Sequence, residues 1–180
     1  MPTVVIDPAP AEFEALLERR RQLGLDRWDE VWEGVLHMIP PPSYAHERLL
    51  SLLHSLLRPY ADAAGLDLVG GVGVGHKDDN RVPDMALQRP RDARPQWQET
   101  LALAVEIRSP ADDTFKKLPF YADHGVDELV IVDPQQQTVE WFALSEGGYR
   151  SVERSGLIEV AAAGLAERID WPQGETGASG

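Results

Sequence analysis

Cysteine is absent from the 180 residues, which removes disulfides, thiolate metal sites and thiol nucleophiles from consideration. That absence accords with a cytoplasmic location. Long apolar runs are missing too. Nothing approaches the ~20 consecutive apolar residues that span a bilayer, and no basic start leads into an apolar stretch at the N-terminus, so no membrane role is expected. Positive charge is scarce: seventeen Lys and Arg face thirty Asp and Glu, for a net charge of −13 at pH 7. Such a chain has no general attraction for polyanions, because phosphate backbones are bound by Lys and Arg that neutralise them. Nucleic-acid contact would need a local basic patch or a bound cation. The bland reading of the acidity is solubility.

What is present describes a globular chain. Hydrophobic residues at 43% and charged residues at 26% are ordinary for one, and the length suits a single domain, taken as residues 1–172 with a flexible tail at 173–180. Residues 9–24 read as a helix, with Phe13, Leu16, Leu17 and Leu23 at helical spacing and Gly24 where a C-cap stands. Residues 28–38 read as two short strands turning near Glu33 and Gly34. Ser43 is placed to cap a long helix with a broad leucine face, which Pro59 should kink or end early. Strands follow over the glycine-rich residues 69–75, with Gly71, Gly73 and Gly75 on one face, then over 81–88 and 101–108. A short helix over 112–124, a buried strand over 129–133 and a hairpin of 138–144 with 149–153 complete the pattern.

Several familiar motifs fail on inspection. Gly70 and Gly75 match the outer glycines of a phosphate loop, but His76-Lys77-Asp78 follows where Lys and then Ser or Thr are required. The dinucleotide fingerprint lacks its third glycine. The glycines are better explained by close approach of a neighbouring group. The five histidines show no paired metal-ligand spacing, and no G-x-S-x-G element exists.

One constellation carries chemistry. In residues 101–108 the large apolar Leu101, Leu103, Val105 and Ile107 face one way, while Ala102, Ala104, Glu106 and Arg108 face the other. In the preceding strand Val82, Asp84 and Ala86 share a face. If the two strands pair, Asp84 and Glu106 come close, and adjacent carboxylates repel unless a cation sits between them. A divalent ion with oxygen ligands, Mg²⁺ or Mn²⁺, would serve. The plainer alternative pairs Glu106 with Arg108 and leaves Asp84 to cap a turn beside Pro83.

Pro83-Asp84 followed by Val105-Glu106-Ile107-Arg108-Ser109-Pro110 resembles the core of the PD-(D/E)xK nuclease superfamily. Within it the sequence is most similar to the Uma-two family of restriction-type endonucleases, a widespread bacterial group. The likeness continues through residues 113–121, 125–129 and 131–134, and includes residues 32–36, Pro41, Pro42 and His46. It implies an α/β, restriction-endonuclease-like fold, a central mixed β-sheet flanked by helices. It further implies that Asp84 and Glu106 hold the metal, helped by the backbone carbonyl of Ile107. Arg108 stands where the superfamily has its lysine, and Lys117 matches the migrated lysine of the Uma-two group. Accessory roles fall to Glu33, Arg108, Tyr121 and His46. Tyr121 would either touch a phosphate or pack in the core.

The resulting expectation is a metal-dependent endonuclease acting on DNA, as a homodimer by analogy. Its rival is a non-catalytic nucleic-acid or protein interaction module that keeps the fold, which the acidity and Arg108 favour. A hydrolase of another phosphate ester is a weaker third. If DNA is bound, Lys77, Arg81, Arg108, Lys116 and Lys117 would form a small patch, and the salt dependence of affinity would be shallow.

Overall fold

The structure is a computed structural model that describes residues 11–24, 26, 28–91, 97–109 and 113–172. The expected tail at 173–180 lies outside the described residues. Helix α1 (Ala11–Gln22) ends before Gly24, whose φ of 65° suits a glycine C-cap. Its expected apolar face is only partly used, since Leu16 and Leu23 stay exposed. The helix is tied instead by a bidentate pair from Arg20 to Asp29 at 2.7 Å. Strands β1 (Glu30–Trp32) and β2 (Val35–His37) form a hairpin. Glu33 and Gly34 turn it with φ of 50° and 84°, the left-handed pair that matches strand twist.

Helix α2 (Tyr44–Ala63) is capped by Ser43, whose hydroxyl accepts the His46 N–H. It runs four residues past Pro59 rather than ending early. Pro59 lies on the exposed side, while Leu49, Leu53, Leu57 and Ala61 are buried on both sides of it and hold the helix to the sheet.

The glycine-rich segment is not one strand. It divides into β3 (Asp67–Gly70) and β4 (Gly73–His76), which belong to different sheets. The glycines do admit close neighbours: a Cβ at Gly71 would stand 1.8 Å from the Trp28 ring, and one at Gly73 2.3 Å from that of Trp97. Residues 81–88 split in the same way, into β5 (Asp79–Arg81) and β6 (Met85–Gln88), with Val82, Pro83 and Asp84 crossing between sheets. Asp84 therefore lies just before a strand, not within one. After β7 (Trp97–Gln98) come β8 (Leu103–Ile107), a 3₁₀ turn (Thr114–Lys117), α3 (Leu118–Asp123), β9 (Glu128–Asp133), β10 (Thr138–Ser145), β11 (Gly148–Val152) and α4 (Ala162–Arg168).

The central sheet is mixed and six-stranded, in the order β11-β10-β9-β8-β6-β3. Only β8 and β9 run parallel. Leu103, Val105 and Ile107 pack on one face with α2 and α4, while Ala104 joins Phe120 and Tyr121 of α3 on the other. The alternation within 103–107 is as expected. Leu101 departs from it and joins the α3 side, because the strand begins only at Leu103. A second sheet, β2-β1-β5-β4-β7, was not anticipated. It lies against the α3 side through Val74, and the cleft opens where the chain passes from one sheet to the other. Among the described residues no helix is long and apolar enough to cross a membrane.

Candidate active site

β6 pairs antiparallel with β8, Met85 opposite Val105 and Ala86 opposite Ala104. Continuing that register would bring Pro83 opposite Ile107, but proline has no N–H and the chain turns away. The Ile107 N–H is satisfied instead by Asp84 Oδ2 at 2.7 Å. A buried amide must find an acceptor, so the break in the ladder is what aims the Asp84 carboxylate at the end of β8. Its other oxygen meets His46 Nε2 at 3.1 Å.

Glu106 is the polar residue of β8 and is 4% exposed. Oε1 accepts from the Tyr121 hydroxyl at 2.6 Å, and the Lys117 ammonium donates to both of its oxygens at 3.1 Å. Lys117 Nζ also donates to Glu30 Oε1 at 2.9 Å. Glu30 is in turn held by the Val82 N–H at 2.8 Å and the Trp32 indole N–H at 2.7 Å. One ammonium thus joins two buried glutamates from different sheets. A cleft of about 580 Å³ has a polar wall that includes Glu30, His46, Asp84, Glu106, Ile107 and Lys117, while Tyr121 is buried and does not line it.

The electrostatics follow from burial and from crowding of like charge. Burial pushes the Glu106 carboxyl up to about 7; Asp84 and Glu30 add to the rise, while Lys117 and Tyr121 oppose it. Burial alone would lower the Lys117 pKa, but the charges of Glu106 and Glu30 outweigh it and raise the value above that of an ordinary lysine. Its two carboxylates keep it cationic. For His46, burial works downward, and the hydrogen bond and charge of Asp84 carry the pKa above its usual value.

Of the residues singled out in the sequence, Asp84, Glu106, Ile107, Lys117 and His46 border one cleft. Two others, Glu33 and Arg108, do not act as expected, and for Tyr121 the structure selects core packing, one of its two alternatives. Glu33 sits exposed in the hairpin turn, and Glu30, three residues before it, occupies the cleft. Arg108 does not pair with Glu106. Its guanidinium reaches Asp133 at 2.6 Å and lies over the Phe115 ring. Tyr121 is fully buried, so its hydroxyl serves Glu106 and is out of reach of a phosphate. The basic patch also dissolves. Arg81 is 4% exposed and spends its guanidinium on Val31 O, Asn80 O and Asp79, while Lys116 pairs with Asp113 and Lys77 lies near Asp78. Glu30 went unnoticed, although one signal was available: it shares a strand face with Trp32, and a carboxylate beside a tryptophan on a half-buried strand needs a partner.

The mixed sheet flanked by helices is a restriction-endonuclease-like α/β fold. A solved structure described as "a putative nuclease belonging to DUF820 from Anabaena variabilis ATCC 29413" shares the fold, with a TM-score of 0.60 at 18% identity, over 78% of this chain and 90% of that one. Residues 10–167 match the Uma2 family, described as "Putative restriction endonuclease". The chain belongs to that family. A DrdV–DNA complex is similar only at a TM-score of 0.37 and 19% identity, over 68% of this chain and 13% of that one. No curated protein matches the chain.

Proposed function

We propose that the protein is a metal-dependent endonuclease that hydrolyses phosphodiester bonds in DNA, with Asp84, Glu106 and the Ile107 carbonyl holding Mg²⁺ or Mn²⁺. The observation that carries this reading is the Lys117 ammonium, fixed between Glu106 and Glu30 in a cleft that Asp84 also borders. The donor chemistry fits such an ion. Carboxylate and carbonyl oxygens suit a hard dication, and Mg²⁺ keeps several waters while binding through one or two carboxylates. Among the described residues no three Asp, Glu or His side chains converge closely enough to cage an ion, so the fit is to a hydrated ion and not to a closed structural site.

When bound, the cation would supply Lewis-acid polarisation of a phosphoryl oxygen and acidify a nearby water. The chain's own groups do the rest. Lys117, held protonated, is a fixed positive charge for the oxygens that gain charge at phosphorus. Glu30 holds that ammonium in place, Tyr121 fixes the Glu106 carboxylate, and His46 orients Asp84. A homodimer would let two such sites address two strands, and sedimentation of the full chain tests it.

The deciding experiment is Mn²⁺ calorimetry on wild type and Glu106→Ala, beside cleavage of a plasmid and an oligonucleotide. Wild type should bind the ion and cut, and Glu106→Ala should do neither. Absence of Mn²⁺ binding, even with oligonucleotide present, would overturn the reading. A second reading, a binding module without turnover, is favoured by the pairing of Arg108 and Arg81 with carboxylates. Metal binding without cleavage of any DNA would select it.

A further inference from the structure

Planar groups from α3 and three strands stack in a row toward the cleft. The His124 ring, just beyond α3, lies against Phe120 with centroids 4.0 Å apart and 28° between planes. The Arg81 guanidinium is 4.2 Å from the Phe120 centroid and 4.5 Å from that of Trp32. Trp32 stacks in turn on His37 at 4.3 Å and 21°. Phe120 and Arg81 are buried, whereas His37 is half-buried and borders the cleft. Among the described residues no further ring continues the row beyond His37, and its ring nitrogens have no hydrogen-bond partner. The stack thus leaves the outer face of His37 uncovered by any described ring, on a residue that borders the cleft containing Lys117.

We propose that this face receives an unpaired nucleobase, so that the protein takes single-stranded or frayed DNA in preference to uninterrupted duplex. The inference rests on the nuclease reading above and names its substrate class. A base within a duplex is already stacked on both sides, and reaching His37 requires flipping it out at a cost of a few kcal/mol, whereas a single strand pays far less. Stacking on an aromatic platform needs no particular base identity and no basic surface. The second point matters here. Arg108 and Arg81 are each engaged by a carboxylate, so their neutralising of duplex phosphates is a weak source of affinity. The cleft suits the occupant, since about 580 Å³ lies within the range of nucleotide-sized ligand sites. Leu36, Ile39 and Leu50 give it an apolar side for the base, and Lys117 a cation for the adjoining phosphate.

The test is titration of a single-stranded oligodeoxynucleotide carrying 2-aminopurine, and of its duplex, with the full chain in Ca²⁺. The single strand should bind roughly tenfold tighter than the duplex, with quenching of the stacked 2-aminopurine. His37→Ala should remove both the preference and the quenching, and His37→Phe, which keeps a planar ring, should restore them. Equal affinity for the two DNAs, or quenching that survives His37→Ala, would overturn the proposal. If Mn²⁺-dependent plasmid cleavage persists with that result, the nuclease reading stands and only the stacking site falls. If no DNA is bound or cut, both fall together.

Discussion

Two buried glutamates stand on neighbouring parallel strands, each 4% exposed, and they do different things. Glu128 of β9 lies on the side packed by α4 and the Trp141 ring. Three neutral donors surround it: the Trp141 indole N–H at 2.8 Å, the Ser155 hydroxyl at 2.6 Å and the Gly156 N–H at 2.6 Å. Glu106 of β8 lies on the opposite side, against a lysine and a tyrosine, with Asp84 and Glu30 close enough to raise its pKa. Burial is the same for both, so burial alone does not mark a functional carboxylate. The difference is the company. Neutral donors turned wholly toward Glu128 make a joint between strand and loop. Like charges gathered at the edge of an open cleft store repulsion, which the proposed cation would relieve.

The comparison can be broken by substitution, beginning with the largest effect. Lys117→Met should lower DNA cleavage in Mn²⁺ by ~10³-fold, the scale of losing one fixed charge-stabilising donor, while calorimetric Mn²⁺ binding persists. Cleavage at the wild-type rate would remove Lys117 from the chemistry. Glu128→Ala should instead act on folding. It strands three buried donors and should cost about 3 kcal/mol in urea melts, with cleavage per folded molecule unchanged. A loss of activity without a loss of stability would make the two glutamates alike after all. Glu30→Gln keeps the shape but withdraws a charge from Lys117, and should lower cleavage about 10- to 100-fold, the usual cost of losing a supporting partner. Glu33→Ala, in the exposed turn beside it, should change neither stability nor cleavage beyond about 0.5 kcal/mol. The smallest effect concerns salt: the logarithmic slope of DNA affinity against salt should have a magnitude of only about 2–4, and a slope near ten would reveal a basic surface elsewhere.

Much of this was readable residue by residue. The leucine face of α2, the alternation in β8, the hairpin at Glu33 and Gly34 and the Ser43 cap are local, because each follows from the period of one element or the backbone needs of a few residues. Asp84 and Glu106 could be brought together on paper because their strands are near in sequence and pair antiparallel. The split of residues 81–88 had a local sign as well, in Pro83, though a proline says only that a ladder breaks and not which sheet the chain enters next.

The partners of the charges lay beyond such reading. Arg108 follows Glu106 by two residues, just past the end of β8, and both are ionic, yet Arg108 turns to Asp133 on β9, 25 residues away. Glu30 reaches Lys117 across 87 residues and His46 reaches Asp84 across 38. Periodicity reports which way a side chain leaves its own backbone. It carries no trace of what arrives from another element, and that is decided when two sheets and α3 pack and each buried charge must find an opposite. The chain's residues determined an α/β nuclease fold with two acidic strand ends and a lysine. Tertiary packing decided that Glu30, not Glu33, shares that lysine with Glu106, since only the folded arrangement brings the hairpin's buried carboxylate to its ammonium.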